Sequence, residues 1–151
     1  MLHDRSKFRK FDGSDNQFFK RNGFLIKHKY FTSNQVSVMK DNSERYLSEF
    51  NKTKTVSGED FLYEDSTSTL RLVRNVHKKN SFFHELAFGH ELTSFAEHLT
   101  DFKPTLLNTK LNFKNAFTGE QFDWHQDSVY LGEENQNSIA FIVAIDKVTH
   151  E

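Results

Sequence analysis

From Ser138 to Val148 the chain reads SIAFIVAIDKV, and its apolar residues continue without a break from Ile139 to Ile145. The run is the longest of its kind in the chain, yet far short of the roughly 20 residues that span a bilayer. Its length and its β-branched and aromatic content make it a strand rather than a helix. A strand that alternates apolar and polar residues needs cover on one face; a continuously apolar one needs cover on both. This segment is therefore expected to be a central strand of a layered β structure, and no other stretch constrains the fold as much.

The segments before it set the order of elements. SDNQFFKRNG reads as a short helix capped by Ser14 or Asp15 and closed by a left-handed Gly23. GFLIKHKYF alternates enough for a short strand. TSNQVSVMKDNSERYLSEF opens with Thr32 and Gln35 at capping-box spacing and places Val36, Met39, Leu47 and Phe50 near one helical face. Residues 51–60 are polar and aperiodic, as in a loop. TLRLVRNV alternates like a strand, with Leu70, Leu72 and Arg74 on one side. NSFFHELAFGHELTSFAEHLTDF reads as two helices broken at Gly89, the first capped by Asn80 or Ser81, and TLLNTKLNF as another strand. The sum is an α+β chain, mainly β with N-terminal helices. It reads as a single domain over 1–151, with a helical region over 1–60 and the start of a β core over 61–151.

Composition excludes several classes. Twenty basic and 21 acidic side chains nearly cancel, leaving no electrostatic footprint for nucleic acid or anionic lipid. The absence of cysteine removes disulfides, zinc ribbons, iron–sulfur clusters and thiol nucleophiles. Seventeen phenylalanines against one proline favour a packed core over disorder. The basic, polar N-terminal stretch has no apolar core of a secretory signal, so the expected location is cytoplasmic.

One short motif carries chemistry. FDWHQDSVY places His125 and Asp127 two residues apart between Trp124 and Tyr130. On a strand, i and i+2 side chains leave the same face, so an imidazole nitrogen and a carboxylate oxygen can converge on one ion. That pair is one arm of the two-histidine, one-carboxylate triad that holds Fe(II) and leaves coordination positions open. A His-x-Asp triplet also arises by chance, as a surface ion pair or a hydrogen-bonded core histidine. The histidines of HELAFGHEL lack the i, i+4 partner of a zinc-protease helix, so His84, His90 and His98 read as helix-surface or partly packed residues.

NTKLNFKNAFTGEQFDWHQDSVY followed by IAFIVAIDKVTHE resembles the phytanoyl-CoA dioxygenase family of Fe(II)/2-oxoglutarate oxygenases. The segments FFKRNGFLIKHKYFT and NVHKKNSFFHELAFGHEL resemble that family's N-terminal region, so the likeness covers nearly the whole chain. It implies a double-stranded β-helix, a jelly-roll or cupin-like fold. It implies Fe(2+) and 2-oxoglutarate as metal and co-substrate, with a small organic molecule as substrate. His125 and Asp127 match the iron ligands of the motif. Lys110 and Asn112 match positions that face 2-oxoglutarate in several members, and Gln126 and Trp124 match positions near substrate or co-substrate.

Such enzymes also need a second iron-binding histidine and, shortly after it, an arginine for the distal carboxylate of 2-oxoglutarate. The resemblance places both beyond this motif, so the chain is expected to be the N-terminal half of the roll, lacking the C-terminal strands. His150 follows the last strand, where the family pattern has nothing catalytic. The reading is therefore a truncated dioxygenase. The competing readings are a non-catalytic, shortened paralogue or binding module with an incomplete metal site, and a metal-free lectin-like jelly roll, which leaves WHQD unexplained.

Overall fold

The structure is a computed structural model, and it describes residues 12–53, 58–64, 69–114, 123, 125, 127–131 and 138–147. Trp124, Gln126 and His150 lie outside those residues. The described part contains five helices and three short strands: α1 (Gly13–Asn22), α2 (Ser33–Thr53), β1 (Phe61–Tyr63), β2 (Leu70–Arg74), α3 (Ser81–Phe88), α4 (His90–Thr100), β3 (Lys110–Asn112) and α5 (Ser128–Leu131). The mixed α+β character holds; helices, not strands, predominate among the described residues. The chain divides into two compact units, Met1–Tyr30 with Asn75–Thr109 and Phe31–Arg74 with Lys110–Glu151.

The first unit is a helical assembly fixed at its helix ends. The N-cap of α1 is Asp12, whose carboxylate accepts from the Ser14 N–H at 3.1 Å, so the helix starts earlier than Ser14 or Asp15 would have placed it. Asp15 instead lies in the first turn, buried, with Lys27 Nζ 2.7 Å from its Oδ2. Gly23 closes α1 in the left-handed region at φ 77°, as expected. The Asn16 amide donates to the His98 carbonyl at 2.6 Å, tying α1 to α4. Asn80 caps α3 by accepting from the Phe82 and Phe83 N–H groups, and the α3–α4 break falls at Gly89. Tyr30 stacks on Phe95 with ring centroids 5.3 Å apart. Burial, with Glu91 adding to it, pushes the Tyr30 phenol up to about 12.

GFLIKHKYF does not form a strand. Lys29 adopts a left-handed φ of 53°, and Phe24 and Ile26 stay exposed. Alternation marks strand potential, but the backbone takes that form only when a neighbour completes its hydrogen bonds.

The second unit is built on a three-stranded antiparallel sheet in the order β1-β2-β3. The Thr32/Gln35 capping box opens α2: the Gln35 N–H donates to Thr32 Oγ1 at 3.2 Å, and the Thr32 N–H donates to Gln35 Oε1 at 2.8 Å. α2 runs to Thr53, into the stretch expected as loop. Near its end Phe50 stacks on Phe61 of β1 with centroids 5.5 Å apart. Directly opposed residues share a sheet face. Phe61 opposes Val73, which opposes Leu111, so the face met by Phe50 carries these three. Val73 is fully buried there. The other face carries Leu62, Leu72 and Asn112 in one row and Arg74 and Lys110 in the next.

Two expected strands are shorter or absent. Of 105–113 only Lys110–Asn112 joins the ladder. Residues 138–147 join no ladder among the described residues; Ile142 is 94% exposed. Lys40 on α2 holds the end of that segment through Asp146 Oδ1 at 2.7 Å.

Candidate metal centre

His125 and Asp127 are brought together, though not by a strand. Asp127 stands in a turn whose carbonyl accepts from the Tyr130 N–H at 2.9 Å, and α5 starts at the next residue. This corrects the strand geometry expected for the motif. The convergence itself survives, because a turn can bring i and i+2 side chains to one side as effectively as a pleat.

The imidazole has a defined orientation. His125 Nδ1 lies 2.8 Å from the Asp123 carbonyl oxygen. A carbonyl only accepts, so Nδ1 carries a proton, and Nε2 is the nitrogen that a neutral ring would offer to a metal. Nε2 lies 3.4 Å from Asp127 Oδ1. Backbone carbonyls commonly fix the tautomer of metal-binding histidines in this way. Two donors each about 2.1 Å from one ion, at right angles, stand about 3 Å apart, so the observed spacing is close to that of a chelating pair. A protonated imidazole would make the same contact an ion pair. Both side chains are 44% exposed, so an ion has access. The Tyr130 ring meets the imidazole edge-on at 5.9 Å.

Among the described residues no group of three His, Asp or Glu side chains is placed to hold a metal ion. His84, His90 and His98 are helix-surface or partly packed residues. His84 packs on Phe88 at 4.7 Å, His90 meets Ser94, and His98 Nε2 lies 3.1 Å from the Asp12 carbonyl oxygen.

Lys110 and Asn112 are exposed, and Leu111 between them is buried. They share the sheet face turned away from Phe50. Their side chains make no hydrogen bond or ion pair among the described residues. Strand alternation had put Arg74 on the Leu70/Leu72 side; the ladder register adds that it stands directly opposite Lys110. Alternation gives a face but not a partner, so the sequence could not show that pairing.

Residues 19–151 match the phytanoyl-CoA dioxygenase (PhyH) family. The chain belongs to that family. It is 26% identical over 110 residues to the ectoine dioxygenase of Stutzerimonas stutzeri (strain A1501), which covers 72% of this chain and 35% of the relative. It is 21% identical over 109 residues to the ectoine dioxygenase of Sphingopyxis alaskensis, again over 72% of this chain and 35% of the relative. A crystal structure of EctD from S. alaskensis with bound Fe superposes with a TM-score of 0.69 at 20% identity, covering 78% of this chain and 41% of that one. That likeness shows a shared fold over the matched part. The chain spans about a third of the length of the curated relatives it matches. No helix among the described residues is long and apolar enough to cross a membrane.

Proposed function

We propose that this PhyH-family chain carries part of the metal centre of an Fe(II)- and 2-oxoglutarate-dependent dioxygenase that hydroxylates a small organic substrate. The observation that carries the reading is Nε2 of His125 standing 3.4 Å from the Asp127 carboxylate, with Nδ1 held by the Asp123 carbonyl. A neutral imidazole and a carboxylate are two of the three protein donors that non-haem Fe(II) takes in these oxygenases. When bound, the iron and 2-oxoglutarate together supply the oxidising chemistry; the protein supplies position.

In this reading His125 and Asp127 fix two coordination positions. Lys110 and Asn112 donate to 2-oxoglutarate from the sheet face opposite Phe50, and Trp124 and Gln126 flank the site. The third ligand and the arginine for the distal carboxylate come from the remainder of a partial double-stranded β-helix, outside these 151 residues. The relatives' name makes a small polar molecule such as ectoine the first substrate to try.

The second reading is a shortened paralogue that binds metal or ligand without turnover. It keeps His125 and Asp127 as an incomplete metal site.

Metal titration separates a chelate from an ion pair. Mn(II), added to the 15N-labelled chain, should broaden the His125 and Asp127 resonances selectively, and either His125→Ala or Asp127→Asn should abolish that response. Broadening spread over surface carboxylates, or unchanged in the two variants, would leave His125 and Asp127 as an ordinary ion pair. Succinate formation from 2-oxoglutarate by a chain extended through the missing ligand then tests turnover.

A further inference from the structure

The β2–β3 ladder sets two cations directly across from each other, Arg74 and Lys110, on the face that also carries Asn112. All three are exposed. Like charges at directly opposed positions destabilise a sheet, and this pair has no compensating anion among the described residues. Arg74 makes one long contact, from Nη1 to the Glu59 carbonyl oxygen at 3.5 Å, which uses one of its five N–H donors and neutralises no charge. Lys110 has no hydrogen-bond or ion-pair partner among the described residues. The acidic residue nearest by register is Asp60, whose backbone carbonyl accepts the Arg74 N–H at 2.7 Å. Its charge acts on the Tyr46 phenol of α2, whose proton affinity it helps to raise after burial. It forms no salt bridge with Arg74 among the described residues.

We propose that Arg74 is the second cation of a carboxylate-binding face, acting with its cross-strand partner Lys110 and the Asn112 amide. A planar guanidinium and a flexible ammonium on adjacent strands suit a carboxylate group, the fork binding it bidentately and the ammonium adding a point charge. Leu72, beside Asn112 on the same face, is buried and supplies an apolar floor. The inference rests on the reading of Lys110 as a co-substrate residue and adds to it a residue from β2. The carboxylate belongs to 2-oxoglutarate or to the substrate.

The test uses the whole metal-free 151-residue chain and glutarate, a dicarboxylate without the keto oxygen that 2-oxoglutarate turns to a metal. Glutarate should shift the amides of Arg74, Lys110 and Asn112 saturably, and acetate at equal ionic strength should do so more weakly. Equal responses to the two assign the face to a substrate's single carboxylate instead of the dicarboxylate; the proposal stands in either case. Arg74→Gln and Lys110→Gln should each weaken glutarate binding about tenfold, the scale of one lost charge-assisted contact. The double variant should lose less than the product of the two, because both cations act on one anion. Arg74→Gln should also raise the melting temperature in anion-free buffer, which separates relief of repulsion from damage to the fold. No saturable glutarate response in the wild-type chain, or wild-type affinity in Arg74→Gln, overturns the proposal. The Mn(II) titration is independent of these readouts. Loss of metal binding with the Arg74 effect intact removes only the metal-centre reading, and the reverse outcome removes only this one.

Discussion

The Nδ1 of His77 lies 2.7 Å from the hydroxyl of Thr109, and the same hydroxyl oxygen accepts the His77 backbone N–H at 3.1 Å. A hydroxyl that accepts from the backbone keeps its own proton and a second lone pair, so Thr109 can donate to a bare Nδ1 or accept from a protonated one. His77 is buried in a 3-10 turn, Val76–Lys78, and its ring meets Phe88 edge-on at 6.0 Å. Asn75, which ends β2 with a left-handed φ of 53°, donates its N–H to the Thr109 carbonyl at 2.7 Å.

This arrangement makes stability depend on pH. Burial lowers the His77 proton affinity below its usual 6.5, and the charges of Lys78 and His84 lower it further. Above 6.5 the ring is neutral in both folded and unfolded chains, and its contribution is fully present. As pH falls below 6.5, the unfolded chain takes up a proton that the folded chain resists, so stability drops until the folded value is passed. The urea midpoint should fall between pH 7.5 and 5.5, and His77→Gln should flatten that dependence. Thr109→Val should cost about 1 kcal/mol at neutral pH, the value of one such hydrogen bond. A pH profile identical in wild type and His77→Gln would contradict the assignment.

Gly89 is required by contact, not by dihedral angle. Its φ is an ordinary −64°, but a Cβ there would come 2.7 Å from the Glu85 carbonyl oxygen. That oxygen is backbone and cannot rotate away, so α3 and α4 would have to shift. Gly89→Ala should therefore destabilise the first unit by about 1–3 kcal/mol, in the range of overpacking. Thermal melting checks it; an unchanged or raised midpoint would show that the helix break relaxes freely.

Thr32 and Gln35 bond to each other's backbone N–H groups at the start of α2. Thr32→Ala should cost about 1 kcal/mol, and Gln35→Ala less, since the threonine satisfies a donor inside the helix. Amide exchange in the first turn of α2 should quicken in both variants. If exchange there is unchanged, the box is incidental to the helix.

What the sequence disclosed follows from the range of the interactions. The Thr32 capping box, the left-handed Gly23 and the Gly89 break are local, each decided within a few residues, and all were legible. Strands were harder, because a strand exists through its partner. GFLIKHKYF alternates but has no ladder and turns at Lys29, whereas Phe61–Tyr63, which carries no alternation long enough to notice, is a strand because β2 pairs with it. His125 and Asp127 were legible as a pair, but the turn at Asp127 was not. Arg74 was placed on the correct face, while its opposition to Lys110 depends on register, which no single segment encodes.

The segment that constrained the fold most also gives the last prediction. Ile139 to Ile145 is apolar throughout, yet Ile142 is 94% exposed and Phe141 38% exposed, and no strand ladder among the described residues includes the segment. An exposed apolar stretch outside any described ladder is a template for pairing with another chain. The one described anchor at its end, Lys40 to Asp146, joins side chains that are 48% and 70% exposed, and a pair so solvated adds little stability. The 151-residue chain should therefore self-associate with rising concentration, and amides 139–145 should exchange rapidly in the dilute chain. Ile142→Lys should shift the sedimentation profile toward monomer and leave the melting temperature within the small range of surface substitutions. Lys40→Ala should do neither. A wild-type chain that stays monodisperse at high concentration, or slow exchange across 139–145, would mean that the segment already has its cover within these residues.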